Sequence, residues 1–328
     1  MMRPALRGAT LLAAAVLATG CSSAPAGDDA ADAPSGASSG AFPVTVPTAF
    51  GDVTVEEEPT RVVALGWSDA ETALALGVQP VGASDWLGFG GEGVGPWAEG
   101  RYDEAPEIID TLEPSFEAIA ALEPDLILDT RSSGTQERYD ALAAIAPTIG
   151  QPEGVDQYQT TWQQQLELVG TALGREEEAA QLRADVEQQV ADARAANPRF
   201  EGTEVAVGAY TSEGFGAYVR GDSRVDLMEA LGFTNKPAIE ELAGESFFVP
   251  VSDEELRLLD APLTVVFPIF VEASEITGNP LWQTLPSVQQ GHAVVLDDPT
   301  LVSAFSSGST LGIGYALDNA VPLFAGAL

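Results

Sequence analysis

One histidine and one cysteine stand in 328 residues, and those two counts narrow the chemistry at once. A zinc or manganese site draws on several His or Cys ligands. A Ser–His–Asp relay has to pass through His292, which sits in QGHAVVLD just ahead of an apolar run. No G-x-S-x-G precedes a helix, and no G-x-x-x-x-G-K-[ST] occurs. The residues equipped to act are of another kind. Trp67, Trp86, Tyr210, Tyr218 and Phe270 lie beside turn signals, together with Arg131 and Arg220. Aromatic faces grip flat organic surfaces, and guanidinium brings a permanent charge with several donors. That is binding chemistry. The residues assemble no catalytic constellation, no metal site and no cofactor motif, so the expectation is a protein that is not an enzyme.

An alternation of strand and helix patterns must position these side chains. Pro59–Trp86, PTRVVALGWSDAETALALGVQPVGASDW, reads as strand, helix, strand. RVVAL has the look of a buried strand. The helix SDAETALALG takes Ser68 as N-cap with Glu71 at the capping-box position, and Gly77 stops it. Such β-α-β units make parallel sheets. PSFEAIAALEPDLILDT repeats the unit, and RYDALAAIAPTI adds a helix and a short strand. From Thr160 to Asn197 the pattern turns helical: Trp162, Leu166, Val169, Leu173, Val186 and Val190 recur at helical intervals, and Gly170 and Gly174 are places to break or bend. Alternation resumes with the strand EVAVGAYT, the helix SRVDLMEALGF and then SDEELRLLDAPLTVVFP, which reads as helix, break and strand. NPLWQTLPSVQQGHAVVLD reads as helix and strand, and STLGIGYALDNAVPLFAGAL closes the chain as a helix. Two α/β halves with a helical bridge predict a two-lobed body with a cleft. Ligands of such sheets bind beyond the carboxyl ends of the strands. That rule selects the aromatics above and the two arginines, one in each half.

Fifty acidic residues face fourteen basic ones, a formal charge of −36. Such a field repels nucleic acid, so no DNA or RNA partner is expected. An apolar content of 45% is enough for a proper core. At the start, Arg3 and Arg7 precede LLAAAVLA, then Thr19, Gly20 and Cys21. The apolar run is too short to span a bilayer core of about 30 Å and has the form of a secretory signal. Cys21 has no second cysteine to pair with. Beyond it, Ser22–Ala41 is built from Ser, Ala, Gly, Pro and Asp, which cannot offset the entropy of ordering. The expected division is a signal over 1–20, a tether over 21–42, a first lobe over 43–156, a bridging helical segment over 157–198 and a second lobe over 199–328.

LATGC at Leu17–Cys21 resembles the lipobox of bacterial lipoproteins. That resemblance implies a lipid on Cys21 and a place at the outer face of the cytoplasmic membrane. The remainder, from about residue 50 to the end, resembles the substrate-binding components of ABC importers in the iron–siderophore and vitamin B12 group. The pieces that carry the likeness are PTRVVALGWSDAETALALGVQPVG, FEAIAALEPDLIL, the bridging helix, VSDEELRLLDAP, NPLWQTLPSVQQGHAVVL and SGSTLGIGYALD, in that order.

This resemblance implies an α/β fold of class III periplasmic-binding-protein type: two Rossmann-like lobes joined by a single long helix, with ligand in the cleft. It implies a monomer that captures a ferric siderophore and delivers it to the transmembrane permease subunits, with iron arriving inside the chelate. Cobalamin or haem as ligand, or a ligand-sensing lipoprotein, are the alternatives. Two carboxylates follow from the likeness alone: Glu117 of SFEAIAALEPD and Glu254 of VSDEEL match the residues that meet arginines of the permease. Arg131 and Arg220 suit a tris-catecholate, a citrate complex or a hydroxamate complex, and the residues do not choose among them.

Overall fold

Alternate residues of the apolar runs point to opposite sides of two sheets, and both sides of each are covered. In the strand over Val62–Ala64 and its extension, Val62 and Ala64 enter one core and Val63 and Leu65 another. In the strand over Leu263–Pro268, Leu263, Val265 and Phe267 face one core and Val266 the other. Burial on both faces is why these strands read as unbroken apolar runs.

The computed structural model describes residues 42–244 and 246–328. The expected signal, Cys21 and all but the last residue of the expected tether lie outside the described residues. An antiparallel hairpin of β1 (Val44–Thr48) and β2 (Gly51–Val55) opens the body. The first lobe follows as β3 (Val62–Ala64), α1 (Asp69–Ala75), β4 (Gly82–Ser84), β5 (Glu107–Ile109), α2 (Phe116–Ala121), β6 (Leu126–Leu128), α3 (Gln136–Ala143) and β7 (Thr148–Ile149). Its strands lie parallel in the order β5-β4-β3-β6-β7. The order reverses between β3 and β6, so the loops carrying Trp67 and Arg131 leave the sheet at its switch point, where such sheets hold ligands.

Two helices lead out of this lobe, α4 (Trp162–Ala172) and α5 (Glu176–Ala196). Gly174 separates them in a left-handed conformation, φ +62°, which glycine adopts at no steric cost. Ala179 near the start of α5 packs into the first-lobe core, whereas Val186 and Val190 pack into that of the second lobe. The 21 residues of α5 span about 31 Å at 1.5 Å per residue. This is the helix that crosses between the lobes.

The second lobe contains β8 (Glu204–Thr211), β9 (Gly214–Tyr218), α6 (Ser223–Ala230), β10 (Thr234–Asn235), α7 (Pro237–Glu240), β11 (Phe248–Val251), β12 (Leu263–Pro268), α8 (Ala273–Thr277), α9 (Pro286–Gln290), β13 (Ala293–Val295), α10 (Pro299–Ser307) and α11 (Thr310–Ala327). Its sheet runs β11-β9-β8-β12-β13, with β10 beside the start of β8, and only β9 runs against the others. Two expected helices take a different form. Asp253–Leu259 is a 3-10 helix, whose three-residue turn stacks Leu256 over Leu259 on the buried face. NPLWQTLPSVQQ splits into a 3-10 turn at Trp282–Thr284 and α9, because Pro286 has no N–H to continue the first turn.

A buried polar seam joins the lobes. Ser68 and Glu71 are not the capping box their spacing predicts. Ser68 has φ 66° and makes no side-chain cap to α1; its hydroxyl instead donates to the carbonyl of Ser307 at 2.6 Å. Glu71 accepts from Trp97 Nε1 at 2.9 Å, from Gly95 N at 3.1 Å and from the hydroxyl of Ser309, the N-cap of α11. Between those serines, Gly308 lies so close that a Cβ there would meet Ser223 at 2.8 Å and Arg131 Nη1 at 2.9 Å. Beneath α1, Asp69 accepts from Thr130 N at 3.0 Å, from the Thr130 hydroxyl and from Gln165 Nε2 at 2.7 Å. No cation bonds to Asp69 among the described residues.

Burial pushes the Asp69 carboxyl up to about 6 against the hydrogen bonds that lower it, and burial likewise raises Glu71. An unfolded Asp ionises near pH 4. Between about pH 4 and 6 the folded chain therefore keeps a proton that the unfolded chain releases, and stability falls as pH rises through that window. We predict that urea unfolding shows a loss of up to roughly 3 kcal/mol from Asp69 between pH 4 and 7. Asp69→Asn flattens this slope, and an unchanged slope refutes the assignment.

Candidate functional site

The carboxyl ends of β3, β4, β12 and β13 open onto one cavity of about 760 Å³ between the lobes. Trp67 follows β3, and Trp86 and Leu87 follow β4. Pro268 ends β12 and Ile269–Ser274 follow it, and Asp297 follows β13. α6 and α10 close the second-lobe side through Arg224, Val302, Ser303 and Ser306.

Six aromatic rings line the wall. Trp67 and Trp86 stack at 4.3 Å with their planes 7° apart, and Tyr158 leans on Trp67 at 4.4 Å. Across the cavity, Tyr218 lies almost parallel to Phe267 at 5.8 Å and to Phe247 at 6.5 Å. Phe270 stands fully exposed at the lip. Ser68, Tyr158 and Phe270 have φ of 66°, 61° and 56°. Side chains other than glycine seldom adopt that region, and its strain gathers at binding and active sites. Trp67 Nε1 is buried with no hydrogen-bond partner among the described residues.

One cation lines the cavity. The Arg224 guanidinium lies 4.2 Å from the Tyr218 ring centroid and 5.4 Å from that of Phe267. Its Nη1 donates to Asp222 at 2.6 Å and its Nε to Ser306 at 3.1 Å. Burial alone would lower its pKa, but Asp222 and Tyr218 together hold it above the ordinary value. Nη2 has no hydrogen-bond partner among the described residues. Burial raises the Tyr218 hydroxyl, so the ring stays neutral at physiological pH.

Of the residues singled out from sequence, Trp67, Trp86, Tyr218 and Phe270 line this cavity, and Arg131, Tyr210 and Arg220 do not. Arg131 is 2% exposed. It donates to the carbonyls of Tyr158 at 2.9 Å and Ser307 at 3.2 Å, with its guanidinium 5.7 Å from the Trp67 ring. Burial brings it down to about 10, so it remains charged and serves the lobe seam. Tyr210 packs on Phe215 at 4.5 Å. The Arg220 side chain is half exposed and pairs with Glu229 at 2.7 Å. Arg224, Phe247 and Phe267 were missed. A signal for Arg224 was present: a cation in the first turn of a helix opposes the macrodipole and needs a local anion, here Asp222. Phe267 sits in a strand and reads as core, and no periodicity marks Phe247.

Residues 62–300 match the family model described as periplasmic binding protein. The probable siderophore-binding lipoprotein YfiY of Bacillus subtilis is 27% identical over 290 residues, covering 81% of this chain and 82% of that protein. The Fe(3+) dicitrate-binding periplasmic protein FecB of Escherichia coli is 28% identical over 265 residues, 79% of this chain and 84% of the relative. Among solved structures, Streptococcus pneumoniae PiaA in complex with ferrichrome superposes with a TM-score of 0.75 at 26% identity, covering 87% of this chain and 98% of that one.

The two arginines of the α6 region separate cleanly by stability. Arg224→Ala strands Asp222, which is 3% exposed, and should cost about 3–5 kcal/mol in chemical denaturation. Arg220→Ala removes a half-exposed pair and should change stability by less than about 1 kcal/mol. Equal costs at the two positions refute this assignment of roles.

Proposed function

This chain belongs to the periplasmic binding protein family, and from that premise we propose that it is the substrate-binding component of an ABC importer that captures a ferric siderophore. The observation that carries the reading is the aromatic-walled cavity at the strand ends of both lobes, large enough for a bulky chelate and lined by a single guanidinium. Relatives named for siderophore and ferric dicitrate binding, and a structural neighbour holding ferrichrome, point the same way. They favour a ferric chelate over cobalamin or haem. The protein's work is to desolvate, orient and release a ligand whose iron arrives already coordinated, and the family is one of binding proteins rather than catalysts.

The ligand packs between Trp67 and Trp86 on one side and Tyr218, Phe267 and Phe270 on the other. Arg224 Nη2 donates to an oxygen of the chelate. Glu117 in the first turn of α2 and Glu254 in the 3-10 helix are both exposed and in no ion pair among the described residues. A fixed exposed carboxylate on each lobe is suited to a pair of permease arginines. A lipid on Cys21 would hold this monomeric receptor at the outer face of the membrane beside its permease.

Tryptophan fluorescence of the full chain in detergent should show saturable quenching by a ferric siderophore and none by cobalamin or haem. Trp86→Ala and Arg224→Lys each weaken that binding about tenfold, the scale of a lost stacking face or a lost charge-assisted hydrogen bond, while Arg220→Ala leaves it unchanged. Glu117→Arg with Glu254→Arg leaves the affinity intact and abolishes cellular uptake. Uptake unaffected by that double change sinks the docking role and favours a sensor.

A further inference from the structure

We infer that the cavity selects ferric chelates of zero or positive net charge over polyanionic ones. The inference rests on the ferric-chelate reading above and narrows it. Among the described residues, Arg224 is the only cation lining the cavity, and its charge is taken up by Asp222 at 2.6 Å. What Arg224 offers is a hydrogen bond from Nη2 to an oxygen acceptor, without surplus positive charge. Arg131, whose guanidinium lies 5.7 Å from the Trp67 ring, is 2% exposed and lies in the field of Asp222 and Asp226. Against these, Glu272 and Asp297 line the cavity, are exposed, and form no ion pair among the described residues.

The balance at the cavity is therefore negative. A trianionic chelate would lose its water against two carboxylates that no cation offsets, one of them Glu272 at the cap of α8, and a guanidinium already neutralised. Ring faces add to the bias, since their quadrupoles attract cations; Phe270, fully exposed at the lip, can offer one, whereas Arg224 already covers Tyr218 and Phe267. The chain's formal charge of −36 repels incoming anions from farther away, over a screening length of about 10 Å at 0.1 M salt. Sequence suggested two arginines free to meet an anion. In the fold one props the seam and the other pairs with Glu229 at the surface.

The test uses one chelate core at several charges. A linear ferric trihydroxamate with a terminal amine carries one positive charge; acetylating the amine makes it neutral, and succinylating it makes it an anion. These three, with a ferric tris-catecholate, are titrated by fluorescence against the full chain at 20 and 500 mM NaCl. Affinity should fall along the series by at least tenfold from cation to tris-catecholate at low salt, and the ratio should shrink at high salt. Glu272→Gln with Asp297→Asn should shrink it at low salt as well. Equal affinities, tighter binding of the anions, or a ratio unmoved by the double variant overturn the inference while leaving the ferric-chelate reading in place. Failure of all four chelates to bind removes that reading, and the inference with it.

Discussion

The turn Ser307–Gly308–Ser309 between α10 and α11 is the point on which the two lobes depend. Its groups are buried, and a buried polar group left unpaired costs about 1–3 kcal/mol. Each therefore needs a partner, and several lie in the other lobe: Ser68 and Arg131 donate to the Ser307 carbonyl, and Ser309 donates to Glu71. Gly308 leaves no room for a Cβ between Ser223 and Arg131. The lobes are held by a network that is satisfied in one arrangement, with α5 packed into both cores as a second tie. Large swings of one lobe against the other would break many of these bonds at once.

With the seam fixed, the strand ends are fixed, and with them the cavity. Trp67 leaves β3 one residue before Ser68, so the residue that binds the other lobe also aims the first ring of the wall. Its left-handed backbone is held by the Ser307 contact and by Gln165, which donates to the Trp67 carbonyl at 2.9 Å. Arg131 lies under the same ring. Site and seam thus share residues, and a change in either is expected to be felt in both.

The alternation of strands and helices was legible because parallel strands buried on both faces read as plain apolar runs, and helices between them carry capping residues and glycine stops. β8 matches the run Glu204–Thr211 that its composition marks. β9 and β11 were not legible: glycines in GFGAY blur any alternation, and Pro250 interrupts FVPV. Four lining rings, Trp67, Trp86, Tyr218 and Phe270, could be picked out because they lie beside turn signals, whereas Phe247 and Phe267 could not, and the same rule also picked Tyr210, which packs on Phe215 instead. The charged half of the cavity could not be picked out. Whether an arginine after a strand meets a ligand, a carbonyl or a neighbouring glutamate depends on contacts made far along the chain. Ser307, 176 positions beyond Arg131, decides that case, and Glu229 decides that of Arg220. Ser68 and Glu71 have capping-box spacing but spend their hydrogen bonds on the other lobe and on the Gly95–Trp97 loop, which local pattern does not reveal.

We propose that the space between the Trp67–Trp86 stack and the Tyr218–Phe267 pair receives the iron chelate. The most direct measurement is an anomalous-scattering map at the iron edge from crystals of the protein grown with a ferric trihydroxamate. One iron peak is expected inside this cavity, with a chelate oxygen within hydrogen-bond distance of Arg224 Nη2. A peak at the surface beside Arg220, or one outside the cavity altogether, would contradict it.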